Sequence, residues 1–411
     1  MPALRETFTA LRHRNFRLLW VSLLVSNSGT WLQSVAQDYV VYKLTGRALD
    51  LGLVNIVRAV PLILLAFVGG TIADRVDRRR MLLFTQTAFA VLAAVLGVLV
   101  QTGWVRVWHV VLLSFLGAVL LAFDQPARQS LLPALVPKED LANAIALNSV
   151  TYTGAAAVGP VIAGPLVALV GLPSAFYLNA FSFGAVLFAV AAMRLPAKVK
   201  KHESDPEGES VLRAVASGVR YVTASPPLLL LVGLLCAFSF FAAPYQSLLP
   251  VFNGELFGGG VQTLGWLRAA PGIGALIGGI YLAQRAQTSD KKRLIIVGGL
   301  GFCATVVLFS WSGPLPLALF VLFWTGAFST VFTSTVQTLL QRLADDRVRG
   351  RVMSLFTICV LGMWPLGALP LAWASDRIGV QAAVTGGAAI AAVLIAASLW
   401  LAKRTVSKLP R

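Results

Sequence analysis

Long apolar stretches, each cut by glycine, proline or a cluster of charges, repeat along the whole chain. A helix of about 20 residues is needed to cross the roughly 30 Å hydrocarbon core of a bilayer, and these stretches have that length. The predicted spans lie near 16–42, 51–73, 81–102, 107–127, 142–170, 174–193, 227–251, 263–284, 293–312, 316–340, 351–375 and 380–402. We therefore expect an all-α membrane protein with 12 transmembrane helices.

The composition agrees with this pattern. The chain of 411 residues is 57% hydrophobic and only 12% charged, whereas an average soluble protein has about 25% charged residues. Spans of about 20 residues each use up most of the length and leave no room for a large soluble domain. A soluble enzyme is excluded, and the expected location is the cell (plasma) membrane.

The net charge of +17 would suggest a nucleic-acid partner in a soluble protein. Here most of the 34 basic residues fall in segments on the same predicted side as the N-terminus. The predicted outer loops hold only Lys43, Arg47, Arg106 and Arg377. Because cytoplasmic loops are enriched in Lys and Arg, we predict that both termini are cytoplasmic. The expected partner is the lipid bilayer and not a nucleic acid.

The longest polar stretch, 195–226, divides the predicted spans into two sets of six, and its later part has the apolar spacing of an amphipathic helix. RAVP at 58–61 and QSLL at 129–132 recur as RAAP and QTLL at an offset of about 210 residues, which favours an internal duplication. We predict two pseudo-symmetric six-helix bundles joined by a cytoplasmic linker. The predicted domains are 1–194, 195–226 and 227–411.

The loop after the second span, GGTIADRVDRRR at 69–80, has a distinctive spacing. Gly70 is followed four residues later by Asp74 and Arg75, and then by Arg78 and a second arginine. The pattern resembles the signature of the major facilitator superfamily, with Asp77 where a glycine is usual. The resemblance implies a cytoplasmic gate that engages in one conformation and opens in another. An ordinary positively charged inner loop is the alternative for the arginines.

Three further stretches extend the resemblance over essentially the whole chain. They are ALRHRNFRLLW and SNSGTWLQSVAQDYVVYKLTG in the N-terminal part and FDQPARQSLLPALVPKEDLANAIALNS from the end of the fourth span. They resemble the efflux branch of the superfamily, which includes enterobactin exporters and macrolide efflux proteins. The resemblance implies that Asp124 pairs with Arg78 and extends the inner latch. A local pair of Asp124 with Arg128, one helical turn away, is the alternative.

The fifth span contains GAAAVGPVIAGP, which partly matches the antiporter motif of the superfamily through Gly159, Pro160 and Gly164. Small residues at this spacing let helices cross closely, and a proline bends the helix. The resemblance implies export and not uptake. The arginine that drug antiporters carry in the fourth span is missing, so an arginine-assisted proton relay is not assumed.

The first span carries the sharpest chemistry. At 100° per residue, one arc holds Asn27, Trp31, Ser34 and Asp38, and an adjacent stripe holds Ser26, Thr30, Gln33 and Gln37. An intramembrane carboxylate costs about 2.5 to 3.5 kcal/mol, so Asp38 must be neutral, paired or facing a cavity. Arg58 in the second span is the expected partner. The pair is either a fixed link between helices or a carboxyl group whose changing protonation couples proton uptake to substrate exit.

In the second half of the chain, Arg268 repeats the position of Arg58. The further candidates for a substrate cavity are Phe241, Tyr245, Trp324, Phe328 and Ser329. For each of them a core or lipid-facing position is the alternative. A cavity of this composition would suit a hydrophobic or amphipathic molecule better than a sugar or a phosphate.

These features together predict a secondary active transporter that exports a drug-like or siderophore-like small molecule by proton antiport, with rocker-switch alternating access. An importer or lysolipid flippase of the same fold is the alternative. The ionisable residues at membrane depth, Asp38, Arg58, Asp124 and Arg268, are too few for an intramembrane enzyme. We expect a monomer with H⁺ as the coupling ion, no metal and no cofactor.

Overall fold

The computed structural model describes residues 8–75, 77–193, 211–285, 290–345 and 348–401. Within these ranges the side chains at 63, 66–75, 150, 153, 157, 211–216, 285, 361 and 399–401 are not described. The described residues form helices joined by short connections and contain no strand.

Fourteen α-helices are present in the described residues, and short 3₁₀ or π-helical turns lie between some of them. The first six are α1 (Arg14–Thr45), α2 (Ala48–Arg75), α3 (Arg78–Gln101), α4 (Val107–Leu131), α5 (Leu141–Val170) and α6 (Pro173–Ala192). The others are α7 (Val211–Ala224), α8 (Pro226–Ala237), α9 (Leu249–Glu255), α10 (Val261–Arg285), α11 (Lys291–Ser310), α12 (Leu315–Leu343), α13 (Arg349–Ile378) and α14 (Val380–Leu401).

Ten helical stretches in the described residues are long and apolar enough to cross a membrane, and they coincide with the predicted spans from the third onward. The remaining two predicted spans fall on α1, with 32 residues, and α2, with 28. Both are long enough to cross, but the many polar side chains of α1 dilute its hydrophobicity. The all-helical membrane fold is confirmed, and the count of 12 spans stays a prediction.

The chain divides into two compact units. The first contains the described residues of 1–44 and 57–206, and the second contains those of 45–56 and 207–411. In the first unit α3 packs against α4 and α6, and in the second unit α11 packs against α12 and α14. These helices are the third, fourth and sixth long helices of each half, so the same pairing recurs in both units.

The N-terminal end of α2 belongs to the second unit because α13 caps it. The Asp376 carboxylate accepts hydrogen bonds from the backbone N–H groups of Ala48 (2.7 Å) and Leu49 (3.0 Å). These N–H groups have no partner within their own helix, and the positive end of the helix dipole favours a carboxylate there. One turn further on, Gly52 lies so close to α13 that a Cβ would be 3.1 Å from that of Ala372.

The seventh long helix is interrupted, which differs from the continuous span predicted at 227–251. A π-helical turn, Phe238–Ala242, and a 3₁₀ segment, Ala243–Leu248, separate α8 from α9. Pro244 and Pro250 lie at this interruption, and proline has no N–H with which to continue the helical hydrogen bonds. We call residues 238–248 the α8–α9 break.

Two motifs that carry the sequence resemblance contact each other in the first unit. His13, just before α1, lies 2.7 Å from the Asp140 carboxylate just before α5, measured from Nε2 to Oδ2. Seven residues after His13, the Trp20 indole N–H donates to the Leu147 carbonyl of α5 at 2.9 Å. The two helices are therefore joined at their neighbouring ends by polar contacts.

The middle of the same helix pair depends on Gly159. A Cβ at this position of α5 would lie 2.6 Å from Cβ of Trp31 and 2.7 Å from the Ser28 carbonyl oxygen, both on α1. The close crossing expected for this small residue is present. Gly154, five residues earlier on α5, has nothing within 4 Å of its Cβ position and serves as a matched control.

We predict that Gly159→Ala destabilises the protein by about 1 to 3 kcal/mol, because the backbone of α1 would have to move away from the added methyl group. Gly154→Ala makes the same change in open space and should leave stability unchanged or slightly raised. Apparent melting temperatures of the purified proteins in one detergent provide the comparison. Equal melting temperatures for the two variants would contradict the close crossing.

Candidate functional site

Two side chains of the polar stripe on α1, Gln33 and Gln37, form hydrogen bonds with neighbouring helices. The Gln37 side-chain amide donates to the Ser114 hydroxyl of α4 at 2.9 Å, and the Asn179 amide of α6 donates to the Gln33 oxygen at 2.7 Å. Hydrocarbon offers no hydrogen-bond partner, so polar side chains at this depth need partners on other helices. The stripe that was predicted beside the candidate arc is therefore part of the packing of the first unit.

The candidate arc itself is only partly enclosed. Asn27, Trp31 and Ser34 are half-buried. The Trp31 ring meets Tyr152 of α5 edge to face, with centroids 6.0 Å apart, and the Ser34 hydroxyl donates to the Trp31 carbonyl at 2.7 Å. Partial exposure of these three side chains is compatible with their predicted contact with a substrate, which stays a prediction.

Asp38 is the acidic residue of the arc, and it is buried, with 7% of its surface exposed. Both Asp38 and Arg58 have interaction partners, so neither is free. That the two residues pair with each other, and that Asp38 changes its protonation, stay predictions.

A second buried carboxylate, Asp124 of α4, has no exposed surface. It forms an ion pair with Arg128, with Nη2 and Oδ2 2.5 Å apart. Its other oxygen accepts hydrogen bonds from the Thr85 hydroxyl (2.7 Å) and the Gln86 amide (2.8 Å), both on α3. An apolar interior would penalise a bare carboxylate, and these groups together compensate its loss of hydration.

The local pair of Asp124 with Arg128 is thus the contact present in this conformation. Arg78, the partner implied by the resemblance, instead donates from Nη1 to the Ser130 carbonyl at 2.9 Å. The predicted contact between Asp124 and Arg78 stays a prediction for another conformation. Thr85 and Gln86 were missed in the sequence, although the polar run TQT within an apolar span was a usable signal.

The loop at 69–80 is described only in part. The side chains of Gly70, Asp74 and Arg75 lie outside the described residues. Asp77, which departs from the usual glycine, caps α3 by accepting a hydrogen bond from the Arg80 N–H at 2.9 Å. The departure from the superfamily pattern therefore has a structural use here.

Two arginines of this loop bind the carbonyl ends of other helices. Arg78 reaches the Ser130 carbonyl near the end of α4, and Arg79 donates from Nη2 to the Ala191 carbonyl of α6 at 2.7 Å. The last carbonyls of a helix have no intrahelical partner and carry the negative end of its dipole. The arginines thus hold α3, α4 and α6 together at one end of the first unit.

The candidates of the second unit fall into two aromatic groups. Tyr245 is fully buried and packs against Phe302 and Phe309 of α11, with centroids 5.9 and 6.2 Å away. Trp324, which is 43% exposed, packs against Phe328 at 6.0 Å on α12. Tyr245 therefore lies in the core, which was the alternative to a place in the cavity, whereas Trp324 is partly exposed.

The remaining cavity candidates of the second unit are Phe241, Arg268 and Ser329. Phe241 lies in the α8–α9 break with its carbonyl against Gly387 of α14. Arg268 and Ser329 are half-buried, and Arg268 has an interaction partner. A shared cavity lined by these side chains stays a prediction.

In the part of the chain that the structure describes, ten apolar helices with polar side chains paired between them define a multi-pass α-helical membrane protein. Residues 5–410 match the family described as Transmembrane secretion effector, and the chain belongs to this family of major facilitator transporters.

Characterised relatives cover most of the chain. The staphyloferrin A transporter of Staphylococcus aureus is 25% identical over 86% of this chain and 87% of its own. Macrolide efflux protein A of Streptococcus pyogenes is 26% identical over 89% of this chain and 90% of its own.

A solved structure supports the fold. The inward-facing, unoccupied structure of a bacterial homolog of the human lysosomal transporter Spinster superposes with a TM-score of 0.74 and 16% identity, covering 97% of this chain and 98% of that one. At this identity the likeness shows the fold alone.

The Asp124 cluster leads to a stability prediction. Asp124→Ala removes the carboxylate that pairs with Arg128 and accepts from Thr85 and Gln86, and Thr85 keeps only its longer bond to the Leu82 carbonyl at 3.2 Å. We expect a loss of about 3 kcal/mol, at the low end for a broken buried pair because Arg128 is 21% exposed. Asp124→Asn keeps an acceptor oxygen and should lose less. Chemical denaturation in mixed micelles measures the difference. An Asp124→Ala protein as stable as wild type would refute the cluster.

Two threonines on α3 provide a matched test. Thr85 donates to Asp124, whereas Thr87 is exposed and bonds only to the Leu83 carbonyl of its own helix at 2.7 Å. Thr85→Val should cost about 1 kcal/mol or more and Thr87→Val close to none. The same denaturation assay separates them, and the reverse order would rule out Asp124 as the acceptor that matters.

Proposed function

We propose that the protein is a secondary active exporter of a hydrophobic or amphipathic small molecule, drug-like or siderophore-like, in exchange for protons. The family assignment supports transport, and the names of the two relatives, one a siderophore transporter and the other a macrolide efflux protein, support this range of substrates. Gly159, Pro160 and Gly164 support export through their resemblance to the antiporter motif. We also propose that the protein is a monomer with 12 spans in the plasma membrane and that both of its termini are cytoplasmic.

The observation that carries the proton-coupling proposal is the burial of Asp38 on the polar face of α1. A carboxylate at membrane depth is costly when ionised, so its protonation depends on whether water or a cation can reach it. We infer that Asp38 takes up a proton when the outer side is open and releases it when the inner side is open. Arg58 is the proposed counter-charge.

The proposed substrate path lies next to this group. Asn27, Trp31 and Ser34 share the arc of Asp38 and are half-buried, so a substrate contacting them would lie close to the coupling carboxyl group. In the second half, the exposed Trp324 and its neighbour Phe328 are the favoured contacts for an apolar substrate.

Rocker-switch alternating access is the proposed mechanism. The proposed inner latch consists of Gly70, Asp74, Arg75 and Arg78 with the Asp124 and Arg128 pair. In this proposal Arg78 exchanges the Ser130 carbonyl for the Asp124 carboxylate in the other conformation. Ser130 and Asp124 both lie on α4, six residues apart, so Arg78 would move about 9 Å along this helix in the exchange.

Everted membrane vesicles with an acidic interior test the proposal, with erythromycin as the probe. The wild-type protein should accumulate erythromycin, and addition of the drug should release protons from the vesicles. Asp38→Asn should reduce both to background because its side chain can no longer be ionised. Asp50→Asn, the same change in the first turn of α2, is the matched control and should keep both activities.

Other outcomes separate the alternatives. Accumulation that persists after nigericin collapses the pH gradient would contradict proton antiport, and full activity of Asp38→Asn would remove this residue from the mechanism. An importer would accumulate the drug only in right-side-out vesicles, and a flippase would move a fluorescent lysolipid between leaflets instead.

A further inference from the structure

Two thiols from distant parts of the chain meet inside the second unit. Cys236 lies in the last turn of α8 and Cys359 lies in α13, and their sulfur atoms are 3.2 Å apart. Both are free thiols, and Cys359 is buried whereas Cys236 is partly exposed. The third cysteine, Cys303, is buried on α11 and provides an internal control.

The thiols lie where α13 passes along the α8–α9 break. The break follows Cys236 directly, and α13 contacts it at two further points beyond Cys359. The Trp364 indole N–H donates to the Ala243 carbonyl at 3.2 Å, which satisfies a carbonyl of the irregular segment. The Phe240 carbonyl packs directly against Gly367, where a side chain would not fit.

This arrangement places two neighbouring thiols at the start of an irregular segment. Irregular turns within a membrane helix have weaker internal hydrogen bonding than the helix around them and are frequent at functional positions. The break is held to α13 by one indole hydrogen bond and by packing. A covalent bond between Cys236 and Cys359 would add a third and much stronger attachment.

We propose that Cys236 and Cys359 form a modification site that closes to a disulfide on reaction with a hydroperoxide, and that the bond holds the α8–α9 break against α13. The sulfur atoms need to approach by about 1 Å to reach bonding distance. Because this takes place between neighbouring helices of one unit, no other part of the chain has to rearrange.

The chemistry balances in two steps. One thiol attacks an oxygen of the hydroperoxide, the O–O bond breaks, and the sulfur becomes a sulfenic acid. The other oxygen leaves with the thiol proton as an alcohol, or as water when the oxidant is hydrogen peroxide. The second thiol attacks that sulfur, the S–S bond forms, and the sulfenic oxygen leaves as water. Two thiols are oxidised and one peroxide is reduced. Dithiothreitol reverses the bond by exchange.

The test uses the purified full-length protein, hydrogen peroxide and peptide mass spectrometry. Wild type and Cys303→Ser should yield a linked Cys236 and Cys359 peptide and lose two free thiols. Cys236→Ser and Cys359→Ser should yield no linked peptide. Absence of the link in wild type, or an equal yield of links to Cys303, would overturn the site.

Hydrogen–deuterium exchange tests, without any substrate, whether the disulfide holds the α8–α9 break against α13. The peptide covering residues 238–248 should exchange more slowly in the linked protein, and dithiothreitol should restore the original rate. Cys236→Ser treated in the same way should show no slowing. A linked protein with unchanged exchange would refute the claim that the bond holds the break.

A transport measurement extends the proposal and rests on the proposed function. Erythromycin accumulation in everted vesicles should fall on peroxide treatment of wild type and Cys303→Ser, recover with dithiothreitol, and resist peroxide in the two other variants. Unchanged accumulation in the linked protein would show that the break does not move during transport. An untreated protein that moves no erythromycin would count against the proposed function, while the linked peptide still decides the site.

Discussion

A polar side chain that is buried among apolar helices is stabilised by a partner inside the protein, because hydrocarbon supplies none. This constraint explains the contacts of the first unit. The amides of Gln37 and Asn179 bridge α1 to α4 and α6, and the Asp124 carboxylate is surrounded by Arg128, Thr85 and Gln86. The same constraint makes a buried carboxyl group such as Asp38 sensitive to any change that admits water or moves a cation.

At the helix ends the constraint takes another form. Backbone groups there have no intrahelical partner, and charged side chains from neighbouring segments supply it. Arg78 and Arg79 bind carbonyls near the ends of α4 and α6, Asp77 caps α3, and Asp376 caps α2. Of these residues, Arg78 is the one that the proposed mechanism requires to change its partner.

The sequence was informative for features that depend on the residues of a single helix. Apolar length located the helices, and the spacing of Asp124 and Arg128 allowed their local pair, because residues four apart always lie on one face of a helix. Small size at Gly159 indicated a close crossing, since only a residue without a side chain permits it. The interruption of the seventh helix was missed, although Pro244 and Pro250 were visible.

Contacts between helices could not be predicted in this way. Nothing in the order of residues indicates that Gln33 meets Asn179, that Thr85 donates to Asp124, or that Cys236 lies beside Cys359. Such pairs depend on the rotation and depth at which two helices pack, which many weak contacts set together. The predicted cavity residues of the second half illustrate this, since Tyr245 lies in the core while Trp324 is exposed.

We propose that substrate export is coupled to proton movement in the opposite direction. The most direct measurement places the purified protein in liposomes with equal pH on both sides, applies a gradient of erythromycin, and follows internal pH with a trapped dye. We predict that erythromycin flowing in one direction drives protons in the other direction. The internal pH should then depart from its starting value until the erythromycin gradient dissipates. Drug movement with no change in internal pH, or protons moving together with the drug, would contradict it.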